Sequence, residues 1–173
     1  MTDQEPVQYF RTRADAALDP DYRPRYLHVE RDLVGLNLEP GLVLRPVFGR
    51  NMTLSFVSME PHSVAPVHQH PQEQIGTVIE GSYQFELAGE KKVVRRGDVY
   101  VVTTNVPHGA VTLDEGCLVL DVFSPPREAF AELMEQAVPE LRAAGRPVEG
   151  NVWVLPSLRR PEGSGSAEGP AAG

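Results

Sequence analysis

The sequence contains a single cysteine, Cys117, which excludes a disulfide bond within one chain. One cysteine in 173 residues is typical of a protein that works in a reducing compartment. The chain also lacks a long apolar run, and its first 20 residues carry charges where a signal peptide would have an apolar segment. We therefore expect a cytoplasmic protein that has no membrane partner.

Basic residues are also in short supply. The chain has 16 lysines and arginines against 24 aspartates and glutamates, which gives a formal net charge of −8. A field of this sign repels polyanions, so nucleic acid is not expected as a partner and a small molecule is. A chain of 173 residues is long enough for one domain with a sizeable core.

Three segments differ in composition. Residues 1–25 are polar, interrupted by proline and weakly periodic, which predicts an arm that becomes ordered only against the domain or a partner chain. Residues 26–145 contain the strand patterns and form the predicted domain. Residues 146–173 form a C-terminal extension whose last part, from Pro161, is rich in glycine, serine, proline and alanine and predicts a disordered tail.

Short apolar runs bounded by turn-forming residues recur along the predicted domain. They are Leu42–Phe48, Met52–Met59, Ile75–Ile79, Tyr83–Leu87, Lys92–Val94, Val99–Val102 and Leu118–Phe123, with a turn signal such as Glu80-Gly81-Ser82 between neighbours. Strands of this length and spacing predict an all-β fold, as an antiparallel sandwich or barrel. The last run is apolar on both faces, which predicts a barrel with a partner packed outside it, and hence a homodimer.

One helix is predicted after the strands. The segment Arg127–Ala137 is rich in helix formers and carries an apolar stripe. The stripe consists of Phe130, Leu133, Met134 and Ala137. We expect the helix to end near Pro139, because proline has no backbone N–H to donate.

Two histidines have the spacing of metal ligands on a strand. Residues two apart on a strand face the same side, so His68 and His70 can hold one ion between them. A turn follows, and the next strand starts at Glu73 or Gln74. Those two side chains lie on opposite faces, so only one of them can point at the histidines. His108 offers a third imidazole, whereas an H-x-H pair without it is most often an ordinary surface strand.

Asp121 and Arg127 are the other candidate functional residues. Aspartate is depleted inside strands, yet Asp121 shares a face with Cys117, Val119 and Phe123. If that face points into the barrel, Asp121 lies in an apolar wall and can act as general acid and base. Arg127 can bind a substrate carboxylate through two hydrogen bonds. The alternatives are a structural pairing of Asp121 with Arg127, and an Arg127 that simply begins the helix.

These positions resemble the two motifs of the cupins, which are small β-barrels of the jelly-roll type. The first motif is a glycine, five residues, H-x-H, three or four residues, a glutamate, six residues and a glycine. Counting back from Gly81, Gln74 stands in the glutamate's place. The spacing of the second motif is matched by Gly97 and His108. Asn105 replaces a glycine of that motif and can adopt the left-handed conformation that glycine would supply. His62 stands where the first motif has its leading glycine. Thr103 and Thr112 stand where the second motif has a proline and an asparagine.

The chain looks most similar to a single-barrel group of cupins that includes the pectin degradation protein KdgF. This group carries H-x-H-P-x-E-Q and D-V-F-x-P-x-R-E, which are present here at His68–Gln74 and Asp121–Glu128. The resemblance implies that a divalent metal is held by His68, His70, Gln74 and His108. It also implies an active site lined by Asp121, Phe123 and Arg127. The implied reaction is isomerisation, by ring opening or enolisation, of a sugar acid such as an unsaturated uronate.

The implied ligand set favours charge polarisation over redox chemistry. Three neutral imidazoles and an amide leave the charge of a divalent ion uncompensated, which favours Lewis acidity and disfavours trivalent iron. Zinc, nickel, iron(II) and manganese all suit these ligands. The alternatives to an isomerase of a small acidic or polyoxygenated substrate are a polyketide-type cyclase, an iron or copper dioxygenase, and a cupin that binds a small ligand without turnover.

Overall fold

The structure is a computed structural model that describes residues 26–146. The described part contains α1 (Val29–Asp32), β1 (Leu36–Glu39), β2 (Leu42–Phe48), β3 (Thr53–Met59), β4 (Val64–His68), β5 (Glu73–Leu87), β6 (Glu90–Arg95), β7 (Val99–Val102), β8 (His108–Val111), β9 (Cys117–Ser124) and α2 (Glu128–Ala143). The predicted arm and tail lie outside the described residues. Among residues 26–146, no helix is long and apolar enough to cross a membrane.

The strands form a nearly closed antiparallel barrel, as the spacing of the apolar runs predicts. One sheet has the order β1-β2-β3-β9-β5, with β7 paired to the first part of β5. The second part of β5 pairs with β6 and β8, and β8 pairs with β4. Because β5 belongs to both sheets, it joins the two walls of the barrel. The all-β prediction with a C-terminal helix is confirmed.

The turn predicted at Glu80-Gly81-Ser82 is wrong, because β5 runs through it without a break for 15 residues. The chain accommodates the change of sheet by a shift of register between Val78 and Glu80 in its pairing with β9. Gly81 follows with a φ of 72°. A glycine in this left-handed conformation relieves the bend at a point where a side chain would be strained.

The C-terminal helix is longer than predicted. It continues past Pro139 to Ala143. Val138 is buried, and Leu141 packs against the same core cluster. Burial of these side chains on both sides of Pro139 compensates for the one helical hydrogen bond that the proline cannot make. Leu133 of the predicted stripe is 39% exposed and lies at the cavity described below, whereas Met134 is fully buried.

The site is positioned by side chains that lie opposite one another across the first sheet. One inward-facing row contains Tyr100, Gly76, Asp121, Ser55 and Pro46. The neighbouring inward-facing row contains Val102, Gln74, Phe123, Thr53 and Phe48. The strand register therefore brings Gln74 next to Asp121 and Phe123, which lie almost 50 residues further along the chain.

Candidate metal centre and cavity

Three histidines converge at one end of the barrel. His68 is the last residue of β4, His108 is the first of β8, and the two are paired across these strands. The prediction that His68 and His70 share a strand is wrong, because His70 follows in the loop after β4. One ligand nitrogen of each ring lies within 4.8 Å of the other two. The three histidines therefore form a cluster that can bind a metal ion.

Backbone carbonyls fix the tautomer of all three rings. Each Nδ1 lies 2.8 to 2.9 Å from a carbonyl oxygen, those of Pro66, Gln72 and Val106. A carbonyl can only accept a hydrogen bond, so each Nδ1 carries the proton and each Nε2 keeps a lone pair. The Nε2 of His108 is buried and has no hydrogen-bond partner among the described residues. This arrangement fits a cation, which would take up the three free lone pairs.

Gln74 adds an oxygen to the cluster. The structure buries Gln74 and exposes Glu73, so Gln74 is the residue of the pair that points at the histidines. Its amide nitrogen donates a hydrogen bond of 2.8 Å to Oδ1 of Asp121, and its Oε1 lies 3.1 Å from Nε2 of His70. With Nε2 unprotonated, these two atoms are both acceptors. Two acceptors facing each other are the arrangement expected of two ligands of one cation.

Burial keeps the inner imidazoles neutral. The pKa of His70 is lowered to about 4, first by burial and then by the positive charge of Arg127. Burial also lowers the pKa of His108. Both rings are therefore uncharged at pH 7, the form in which imidazole binds a metal.

Asp121 lies inside the barrel wall, on the buried face predicted for it. Two donors reach the same carboxylate oxygen, because the Tyr100 hydroxyl donates a hydrogen bond of 2.6 Å to Oδ1 alongside the Gln74 amide. Burial raises the pKa of Asp121 to about 6, against the opposing effect of these two donors and of Arg127. Nothing in the sequence distinguishes Tyr100 from a packing aromatic, so its contact with Asp121 emerges only from the structure.

Arg127 lies between two aromatic rings. Its guanidinium carbon is 5.4 Å from the ring centroid of Phe123 and 4.8 Å from that of Phe130. Its backbone N–H donates to Thr53 Oγ1, and Arg127 is the N-cap residue of α2, directly before the first helical residue. The Nε atom is nevertheless buried without a hydrogen-bond partner, and no ion pair joins Arg127 to Asp121 in the described range.

A single cavity of about 370 Å³ reaches most of these residues. Its wall includes six of the seven predicted site residues, namely His68, Gln74, His108, Asp121, Phe123 and Arg127. The seventh, His70, contacts Phe123 edge-on, with ring centroids 5.4 Å apart. The wall has four further polar residues, Glu39, Ser55, Tyr83 and Tyr100, which are not among the predicted site residues. The arrangement can hold a cation, a proton-transferring carboxyl group and a small ligand side by side.

Known proteins share this barrel. The cupin domain model matches residues 55–123. The pectin degradation protein KdgF of Dickeya dadantii is 38% identical over 69 residues, which are 39% of this chain and 63% of that protein. The match thus spans less than two thirds of that relative's length.

Solved structures of other proteins also superpose on this barrel. KdgF from Halomonas sp. superposes with a TM-score of 0.57 at 31% identity. The match covers 62% of this chain and 99% of the Halomonas chain. The polyketide cyclase RemF from Streptomyces resistomycificus has a TM-score of 0.53 at 24% identity, covers 59% of this chain and 80% of its own, and supports the fold alone. The matched region contains the histidine cluster, Gln74, Asp121 and Phe123 within the barrel strands β3 to β9. The chain therefore belongs to the cupins and is similar to KdgF.

Proposed function

We propose that the protein is a metal-dependent enzyme that transfers a proton next to a carbonyl or enol oxygen of a small molecule, and so isomerises it. The observation that carries the proposal is the buried carboxyl group of Asp121, joined by one hydrogen bond to Gln74 beside three histidines whose Nε2 lone pairs are free. Similarity to KdgF makes an unsaturated uronate the first substrate to test.

The metal would be held by His68, His70 and His108, with Gln74 as the fourth ligand. Zinc, nickel, manganese and iron(II) all suit this set of nitrogen and oxygen donors. A divalent ion bound by four neutral ligands supplies a Lewis acid that polarises a substrate oxygen. The protein's part is to keep the imidazoles neutral and the amide oxygen turned toward them.

Asp121 is the residue proposed to move the proton. Tyr100 and Gln74 both donate to its Oδ1, while no hydrogen bond from the described residues reaches Oδ2. Oδ2 is thus available to take a proton from the substrate and return it. Arg127 would orient a carboxylate or carbonyl group, and the Phe123 ring would pack on the substrate next to it.

The test is turnover of an unsaturated uronate by protein loaded in turn with zinc, nickel, manganese and iron(II). We expect Asp121→Asn to retain its metal but lose at least about 100-fold in rate, because general acid–base catalysis contributes that much. The matched control is Glu132→Gln on the exposed side of α2, which should turn over normally. Metal-loaded Asp121→Asn with full activity would rule out Asp121 as the proton carrier. Oxygen consumption that matches turnover would instead support a dioxygenase.

A further inference from the structure

Beyond the polar site, the cavity wall is apolar apart from the exposed Glu39 of β1 and Tyr83, whose hydroxyl is hydrogen-bonded to Tyr100. The side chains that line this part come from β2, β3, β5 and β9 and are Leu42, Leu44, Val57, Met59, Phe85 and Val119. None of these side chains can donate or accept a hydrogen bond, apart from the weakly accepting thioether of Met59. A ligand that fills the cavity must therefore place most of its surface against hydrocarbon.

Few polar groups of the wall are free to bind a ligand. Tyr100, Gln74 and Asp121 are already joined to one another at Oδ1 of the carboxylate. The two wall atoms outside the histidine cluster that are buried without a partner among the described residues are Ser55 Oγ and Arg127 Nε. Ser55 is fully buried and lies directly across the β3–β9 pair from Asp121. Ser55 thus lies next to Asp121 in the strand register, and the Arg127 guanidinium lies at the ring of Phe123, two residues further along the same strand.

This distribution of polar and apolar side chains favours substrates with an aromatic or alkyl part over substrates with many hydroxyl groups. A hydroxyl group moved from water into an apolar site without a partner loses its hydrogen bonds to water and gains none in return. A sugar acid carries several hydroxyl groups, so most of them would lie against the apolar wall. An aromatic ring or alkyl chain of the same size would instead gain from burial. A volume of about 370 Å³ is within the range of small-ligand sites.

We propose that the substrate of this site has an apolar body and carries its polar groups at one end only. The polar end, a carbonyl next to a carboxylate or a second carbonyl, lies beside Asp121 and is bound by Ser55 and Arg127. The apolar body, aromatic or alkyl, fills the part of the cavity lined by Leu44, Val57 and neighbouring side chains. The inference rests on the proposed function for the reaction, but it replaces the uronate with a keto compound of apolar body as the expected substrate, and it has its own measurement.

The test compares two 2-keto acids that share the keto carboxylate group and the neighbouring CH₂ group but differ in the substituent on that CH₂ group. One is phenylpyruvate, and the other has a trihydroxypropyl chain in place of the phenyl ring. Binding to the zinc-loaded protein is measured by calorimetry, and exchange of the CH₂ protons next to the carbonyl for deuterium is measured by NMR. We expect phenylpyruvate to bind about 100-fold more tightly, because a pocket without partners rejects buried hydroxyl groups. Equal or tighter binding of the trihydroxypropyl acid would overturn the inference.

Ser55→Ala tests the head of the ligand, with Ser58→Ala on the opposite face of the same strand as control. We expect Ser55→Ala to weaken binding of phenylpyruvate about tenfold and Ser58→Ala to leave it unchanged, and equal affinity in both variants would refute the role of Ser55. The exchange of the CH₂ protons for deuterium distinguishes the proposed enzyme activity from the proposed apolar substrate. Selective binding of phenylpyruvate without catalysed exchange of either acid supports the apolar substrate while contradicting the proposed enzyme.

Discussion

At the scale of the residue, Asp121 explains why a glutamine occupies the place of the usual cupin glutamate. The amide of Gln74 donates to Oδ1 of Asp121 at 2.8 Å. A glutamate at position 74 would bring two carboxyl groups to that distance, and they would have to share a proton because like charges so close cannot both remain ionised. The amide avoids this repulsion and directs its oxygen toward His70. The two positions therefore depend on each other.

Ser55 provides a prediction about stability. Its hydroxyl is fully buried and has no partner among the described residues, whereas the Thr53 hydroxyl two positions earlier accepts the backbone N–H of Arg127. We expect Ser55→Ala to raise the free energy of unfolding by about 1 kcal/mol, because an unsatisfied polar group is removed. Thr53→Val, the matched variant, should lower it by about 1 to 2 kcal/mol. Urea denaturation followed by circular dichroism measures both, and a destabilised Ser55→Ala protein would show that the hydroxyl has a partner.

At the scale of the element, Gly76 holds the row of side chains around Asp121 together. It lies in β5 directly between Tyr100 of β7 and Asp121 of β9. A Cβ atom at this position would overlap the Tyr100 hydroxyl and Oδ1 of Asp121. The absence of a side chain is therefore what allows the tyrosine to cross the middle strand and reach the carboxylate.

Gly76→Ala should consequently damage both the fold and the site. We expect a loss of about 2 kcal/mol in the free energy of unfolding, since the added methyl group has no space. We also expect slower exchange of the CH₂ protons of phenylpyruvate. Tyr100→Phe serves as the companion variant, because it removes only the hydroxyl and leaves the backbone and the ring in place. Denaturation and exchange rates are compared for the two. A Gly76→Ala protein with normal stability would mean that the row of side chains can rearrange.

The strands show how far the sequence predicts elements. The seven apolar runs all fall on strands, because alternating burial leaves a pattern in the residues themselves. The short strands β1, β4 and β8 were not among these runs, since polar and small residues occupy much of them and their pairing partners decide their conformation. Asn105 adopts a φ of 59°, which confirms the predicted left-handed turn. His62, at the position of the first motif's leading glycine, has a φ of 61°.

The site was predictable where the histidine and glycine spacings fix it, and less so elsewhere. Seven candidate residues were identified from motifs, and the structure brings them to one cavity or its rim. The contributions of Tyr100 and Ser55 depend on cross-strand register, which local sequence does not reveal. The apolar character of the cavity likewise depends on which faces of β2 and β3 turn inward.

At the scale of the whole molecule, the first sheet has an apolar outer face. Ile75, Val99 and Val101 of β5 and β7 are 45%, 65% and 51% exposed. The half-buried Leu120 and Val122 of β9 continue this face in register with Thr77 and Ile75. An apolar patch that crosses three strands is typical of a surface that binds another protein. We propose that a second copy of the chain covers it, as the double-sided apolar character of β9 predicts.

The oligomeric state tests this proposal. We expect light scattering after size exclusion to give twice the 19.0 kDa mass of one chain. Val101→Asp should yield monomers, because a carboxylate at the centre of an apolar interface has no partner. Val111→Asp, an exposed valine of the other sheet, should leave the dimer intact. A Val101→Asp protein that remains dimeric would place the interface elsewhere.

The most direct test of the account is the metal content of the purified chain, measured by elemental mass spectrometry before and after reconstitution. We predict about one divalent ion per chain, lost in His70→Ala and retained in His62→Ala, whose exposed ring lies outside the cluster. Zinc, nickel, manganese or iron(II) at this ratio would agree with neutral ligands around a Lewis acid. A chain that binds no metal even after reconstitution, with His70→Ala indistinguishable from the unaltered protein, would contradict the metal centre and the enzyme proposed on it.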